Sequence, residues 1–280
     1  MKVSEFFSSL GKSLKSVAKT AVLARRTRFG KTGQGRSIIV MANGPSLAAT
    51  IAGSMPVLQS NDTLSVNFAP IAPEFAQIRP KYHVLADPLF FGDESPENVK
   101  KLYEQLNKAD WEMTLFVPVK FVKKVRSLVS NPFITVKGFN NIGAEGFKWL
   151  ERLLYRRRLA MPRPRNVLMP AIMCAIWSGY DTIYVTGADH SWMQTISVDA
   201  DNNVISVQPH FYKDGEKEQK RVDTMYRNFR LHQIVESFAI AFKSYHTLQD
   251  FAAKSNIKIY NSTPGSFIDA FPRKDLEQAR

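Results

Sequence analysis

Apolar positions recur along this chain with two periods. Ser37–Met41 is a continuous, β-branched run that stops at Asn43-Gly44-Pro45-Ser46. That pattern predicts a buried strand ending in a tight turn, with Ser46 as the N-cap of the helix that follows. Residues 63–68, 82–86, 113–117, 133–136, 182–186 and 258–260 repeat the short apolar motif. Between them lie segments at helical spacing: 96–107 with Val99, Leu102 and Leu106 on one face, 120–129, 146–157, and the apolar run 167–177. A longer helix follows with Leu231, Val235, Phe238 and Phe242 on one face. Strand and helix alternating over this length predict an α/β fold built on a doubly wound, mostly parallel sheet.

The first residues differ from the rest. Phe6, Phe7, Leu10, Leu14, Val17, Ala18 and Ala21 recur at helical spacing, while Lys12, Lys15 and Lys19 fall on other positions. This is a basic amphipathic helix suited to an anionic membrane surface through residues 1–30, unless it packs on its own domain or stays unfolded. Residues 31–36 read as a polar, Gly-containing linker, so residues 1–36 form an appendage and residues 37–280 the main domain. Nine Lys and Arg against the lone Glu5 in residues 1–36 supply eight of the chain's thirteen net positive charges. No recognised nucleic-acid module follows this arm, and nucleic acid is not an expected partner.

A chain of 280 residues has ample core for one large domain. No apolar run reaches the ~18 residues of a membrane span, and the N-terminus lacks the pattern of a secretory signal. Cytoplasm is therefore the expected compartment, with residence at the inner membrane face if the first helix binds lipid. The single cysteine, Cys174, gives neither a disulfide nor a zinc cluster and is expected to be buried and inert. Walker, Gly-x-Gly-x-x-Gly, His-Glu-x-x-His and Gly-x-Ser-x-Gly motifs are all missing. No resident metal or cofactor is expected.

Polar residues gather just past the predicted strands: Asn43, Asn67, Asp87, and the trio Asp189, His190 and Ser191. In a parallel sheet these ends share one edge, where ligands bind and helix N-termini offer N–H groups to anions. Asp87 or Asp189 would hold a magnesium ion only if the chain used ATP and magnesium. Residues 190–222 are expected to form a lid, with a β-hairpin around Asp199-Ala-Asp201-Asn-Asn203 rather than a calcium loop, because Val204 stands where the loop needs glycine. His83, His232 and His246 read as structural, whereas His190 and His210 border the strand edge and lid and are candidate general bases. Arg163 and Arg165, beside prolines, face either an anion or solvent.

The order Asn43-Gly-Pro-Ser-Leu47, a strand ending in Asn67, Asp87-Pro-Leu-Phe-Phe91, Met173-Cys-Ala-Ile-Trp-Ser-Gly-Tyr180 and Ile183-Tyr-Val-Thr-Gly-Ala-Asp189 resembles the bacterial sialyltransferases of glycosyltransferase family 42. It is also similar to flagellin-modifying and MptE-like proteins. The resemblance runs from about Ser37 to Phe271 and implies a Rossmann-like domain with a lid, using a CMP-activated sugar and inverting without a metal. It implies that Asn43, Gly44, Pro45 and Ser46 bind the nucleotide phosphate and ribose. Asn67 would contact the nucleotide, and Asp189 the cytidine side. It further implies His210 as the base of His210-Phe211-Tyr212, with Tyr212 and Arg165 on the departing phosphate. Two departures stand out: Asn166-Val167-Leu168 replaces a Thr-Ser-Gly segment, and His190-Ser191 replaces a tyrosine. The acceptor would be a surface glycan, and the family's members often assemble, so a homo-oligomer is expected as an option. The alternatives are an MptE-like diphosphokinase using ATP and magnesium, and a non-catalytic nucleotide-binding protein.

Overall fold

The computed structural model describes residues 3–93, 96–206 and 229–279. Seven strands form one sheet in the order β5-β4-β3-β2-β1-β6-β9, every pairing parallel. They are β1 (Ser37–Met41), β2 (Asp62–Val66), β3 (Tyr82–Val84), β4 (Met113–Pro118), β5 (Ile134–Phe139), β6 (Thr182–Thr186) and β9 (Lys258–Asn261). The remaining pair, β7 (Ile196–Val198) and β8 (Val204–Ser206), makes the expected antiparallel hairpin. In its turn, the Asp199 carboxylate accepts the N–H groups of Asp201 and Asn203.

The central strands are buried on both faces, which explains their unbroken apolar runs. Ile38, Val40 and Ala42 pack against α6 (Lys148–Arg156), α7 (Leu168–Trp177) and α8 (Leu231–Ala253). Ile39 and Met41 face α2 (Ser46–Ser60) and α3 (Glu74–Ile78), and farther along the sheet α4 (Glu97–Asn107) and α5 (Val122–Leu128) cover that same face. The chain thus leaves β1 in one direction along one face and β6 in the other along the opposite face, the Rossmann-like doubly wound α/β arrangement. Cys174 lies fully buried in α7, its thiol pushed well above the ordinary range by burial.

Two helices present a different face from the one their sequence suggests. α8 buries Ile234, Phe238, Ala241, Tyr245, Leu248 and Phe251, whereas Leu231 and Val235 are exposed. The buried stripe is rotated toward Ile234, Ala241 and Leu248, and within it Tyr245 reaches inward to polar partners at the sheet edge. α1 (Val3–Leu23) buries Ser13, Ser16 and Thr20. Ser16 Oγ donates to the Glu145 carbonyl at 2.8 Å and accepts the Glu145 N–H at 2.9 Å, and Ser13 Oγ accepts the Phe147 N–H at 2.9 Å. The apolar stripe of α1 therefore points away from the domain.

Candidate functional site

β1 and β6 are neighbours whose chains continue to opposite sides of the sheet, so a crevice opens beyond their carboxyl ends. The loops after the two strands are tied together there. Ala42 N–H donates to the Thr186 carbonyl at 2.9 Å and Gly44 N–H to the Gly187 carbonyl at 2.8 Å. A Cβ at Gly44 would fall on the Asp189 carboxylate, and one at Gly187, where φ is +66°, would come within 2.7 Å of the Ala42 carbonyl. Glycine at both positions is what lets the loops close on each other.

Ser46 is not the N-cap of α2. Pro45 occupies that position without a side-chain bond, and Ser46 is the first helical residue. The cap comes from Asp189 instead: its Oδ2 accepts the Ser46 hydroxyl at 2.8 Å and the Ser46 N–H at 3.3 Å. A proline at the cap has no oxygen to offer, and the carboxylate from the next strand satisfies the helix end and its dipole. This helix N-terminus thus already carries an anion belonging to the chain.

Asn43 is buried, and its Nδ2 donates to the Val66 carbonyl at 3.0 Å, linking the first loop to the end of β2. The next residue after β2, Asn67, adopts φ +47°. Its backbone N–H bonds the Val84 carbonyl at 3.0 Å, but its Oδ1 is shielded from solvent and accepts no hydrogen bond. A left-handed non-glycine residue with an unfilled acceptor at a ligand edge is a functional signal.

Asp87 lies apart. It is exposed, and its Oδ1 accepts the Leu89 N–H at 2.9 Å, capping the short turn Pro88–Phe91. β3 and β6 stand three strand positions apart, roughly 14 Å at the usual spacing. The strand ends that carry Asp87 and Asp189 are thus too far apart for the two carboxylates to share one cation. Among the described residues no group of three or more His, Cys, Asp or Glu is arranged to hold a metal.

Behind the crevice, His190, at φ +51°, and Tyr245 are buried and meet the half-buried Asn166. His190 Nε2 is 2.7 Å from the Tyr245 hydroxyl, which in turn donates to Asn166 Oδ1 at 2.9 Å. The same Asn166 oxygen accepts the Leu168 N–H at 3.0 Å, starting α7. His190 Nε2 also lies 3.4 Å from Asn166 Nδ2, so Tyr245 and Asn166 both engage the same ring nitrogen. Burial lowers the His190 pKa to about 3, so the ring is neutral at pH 7. Burial also holds the Tyr245 phenol above its ordinary range. Trp192 covers the imidazole with ring centroids 4.1 Å apart. A buried imidazole whose Nε2 is engaged by Tyr245 and Asn166 orients the loop after β6.

Ser191 is half-buried and precedes the turn Trp192–Thr195 without a capping bond. Arg165 is exposed, while Arg163 pairs with Glu145 at 3.4 Å. His210, Tyr212 and the lid from residue 207 to 222 lie outside the described residues. His83 is a core residue bonded to Ser65 at 2.8 Å, and His246 pairs with Asp269 at 3.0 Å on the surface. Tyr245 was not singled out from the sequence, and Asn166 and Gly187 figured there only inside longer motifs, without a role of their own. Asn166 carried a local signal, an amide residue just before an apolar helix. Tyr245 lies on the apolar spacing three residues past Phe242, but only the fold brings the middle of α8 to the loop after β6.

No protein-family model matches the chain, and no curated protein sequence does. Among solved structures it is similar to one described as the MAf glycosyltransferase from Magnetospirillum magneticum AMB-1, with a TM-score of 0.52 and 10% identity. The match covers 100% of this chain and 40% of that one, so the chain spans well under half the length of that protein. At this identity the likeness is one of fold, and it agrees with the Rossmann-like α/β architecture described above.

Proposed function

We propose that this chain is a glycosyltransferase that binds a nucleotide-activated sugar in the crevice beyond β1, β2 and β6. The observation that carries the reading is the meeting of Asn43, Ser46, Asn67 and Asp189 at that topological switch point. The glycosyltransferase name of the structural neighbour and the resemblance to family 42 support it. In this reading the Asn67 side chain turns on binding so that its shielded Oδ1 accepts from the nucleotide, and Asp189, already anchored by Ser46, lies toward the nucleoside. Arg165 and Tyr212 offset the charge of the leaving phosphate. The donor is CMP-linked, and the acceptor is a glycan hydroxyl. His210 takes the proton from that hydroxyl as its oxygen bonds the anomeric carbon, and the sugar–phosphate C–O bond breaks with its electron pair leaving on the phosphate.

A thermal-shift series with CMP, CDP, UDP, GDP and ATP, each with and without magnesium, tests the site first, because a ligand bound only to the native state raises the midpoint. A metal-independent shift with CMP is the expected result. Transfer from a CMP-sugar should then disappear in His210→Ala while the CMP shift persists. A shift seen only with ATP and magnesium would replace this reading with the diphosphokinase. Tight nucleotide binding without turnover of any donor would make the protein a non-catalytic binder.

A further inference from the structure

We propose that α1 and the outer face of α6 form one docking surface for an anionic lipid bilayer. The domain holds α1 by its polar flank, through Ser13, Ser16 and the neighbouring backbone of Glu145 and Phe147. Its largest side chains are left uncovered: Phe7 is 64% and Leu14 63% exposed, and Phe6, Val17 and Val22 are exposed as well. A helix that only packed on its own domain would bury that stripe.

The helix that follows Phe147 carries exposed apolar side chains as well. The Phe6 ring lies 5.5 Å from Phe147, the residue that leads into α6. One turn apart on α6, Trp149 is 65% and Leu153 44% exposed, while Leu154 and Tyr155 of the same helix enter the core. Uncovered large apolar groups on two adjoining helices mark a binding surface. Tryptophan beside such a stripe suits the boundary between headgroups and acyl chains.

Charge decides the occupant. Lys12, Lys15 and Lys19 are exposed on the remaining side of α1, and residues 1–36 carry an excess of eight positive charges. Each cation held near an anionic leaflet adds attraction, and long lysine stems reach back to the headgroups. Among the described residues no helix is long and apolar enough to cross a membrane, so the surface lies on the bilayer rather than through it. The proposal is independent of the reaction assigned above.

The test uses the full chain with vesicles of phosphatidylcholine, with and without phosphatidylglycerol. Co-sedimentation should require phosphatidylglycerol and weaken as salt is raised. The fluorescence difference between the native protein and Trp149→Phe should shift blue on binding and be quenched by lipids brominated in their acyl chains. The variant F7S/L14S/V17S changes only exposed positions, should fold normally, and should bind at least tenfold more weakly. Failure to bind phosphatidylglycerol vesicles would overturn the proposal. So would unchanged binding by the triple variant, or a native dimer that the same substitutions dissociate, which would assign the surface to a second copy.

Discussion

The Ser46 hydroxyl donates to the Asp189 carboxylate at 2.8 Å, joining the first residue of α2 to the loop after β6 across 143 positions of sequence. Ser46 is placed by the turn at Gly44-Pro45, and Asp189 by the Gly44–Gly187 backbone bond.

A charge-assisted bond at a partly buried helix end contributes about 1.5 kcal/mol or more. A double-mutant cycle with Ser46→Ala and Asp189→Ala should therefore return a coupling free energy of about 1.5 kcal/mol in urea unfolding. Additive single effects would remove the pairing from the account of α2's start.

The two loop glycines should not tolerate a methyl group. Gly44→Ala and Gly187→Ala are expected to destabilise by about 2–4 kcal/mol, the first by collision with Asp189, the second by collision with Ala42 and strain at φ +66°. Gly11, within α1, has nothing within 4 Å of a built Cβ. Gly11→Ala should leave the protein unchanged or stabilise it by up to about 1 kcal/mol. Thermal midpoints of the three variants check the contrast.

Asn67 separates binding from stability. At φ +47° glycine is the less strained residue, so Asn67→Gly should match or exceed native stability by up to about 1 kcal/mol. The same change removes the unfilled Oδ1 acceptor and should diminish the CMP-induced thermal shift. An undiminished shift would place the nucleotide elsewhere. This is the expected opposition of stability and function at a binding site.

Acid stability should report the buried histidines. Burial keeps His190 and His83 neutral to about pH 3, whereas in the unfolded chain histidine takes up its proton near pH 6.5. Between those values the unfolded state binds more protons, so these groups stabilise the fold above about pH 6.5 and progressively less as pH falls toward 3. Urea unfolding across this range should lose one proton's worth of slope in His190→Gln, with His83 still contributing. An unchanged slope would mean that His190 is already protonated in the fold.

Much of the framework was legible along the chain because its cause is local. Each of the seven sheet strands follows an apolar run, and Asn43, Asn67 and Asp189 could be placed past strand ends by counting. Boundaries moved by a few residues: β5 runs to Phe139, and β2 stops at Val66, just before Asn67. The errors arose where a residue's partner is remote in sequence. Ser46 had the right chemistry for an N-cap but lost that place to Asp189, and Asp87 had the right strand-end position but caps its own turn. Tyr245 continues the spacing of Phe238 and Phe242 on α8, and its hydroxyl can be buried because His190 and Asn166 satisfy it.

The sequence by itself determined the alternation of strands and helices, the parallel sheet, the polar strand edge and the basic amphipathic first helix. Hydrophobic periodicity and turn chemistry act over a few residues and need no knowledge of neighbours. Tertiary structure alone decided which strand lies beside β1, and so which loop closes on Gly44. It also decided that Asp189 fills the end of α2, and that α1 is held by its serines with its phenylalanines outward. Those outcomes depend on which surfaces meet when distant segments pack, where one unpaired buried polar group can outweigh an apolar contact.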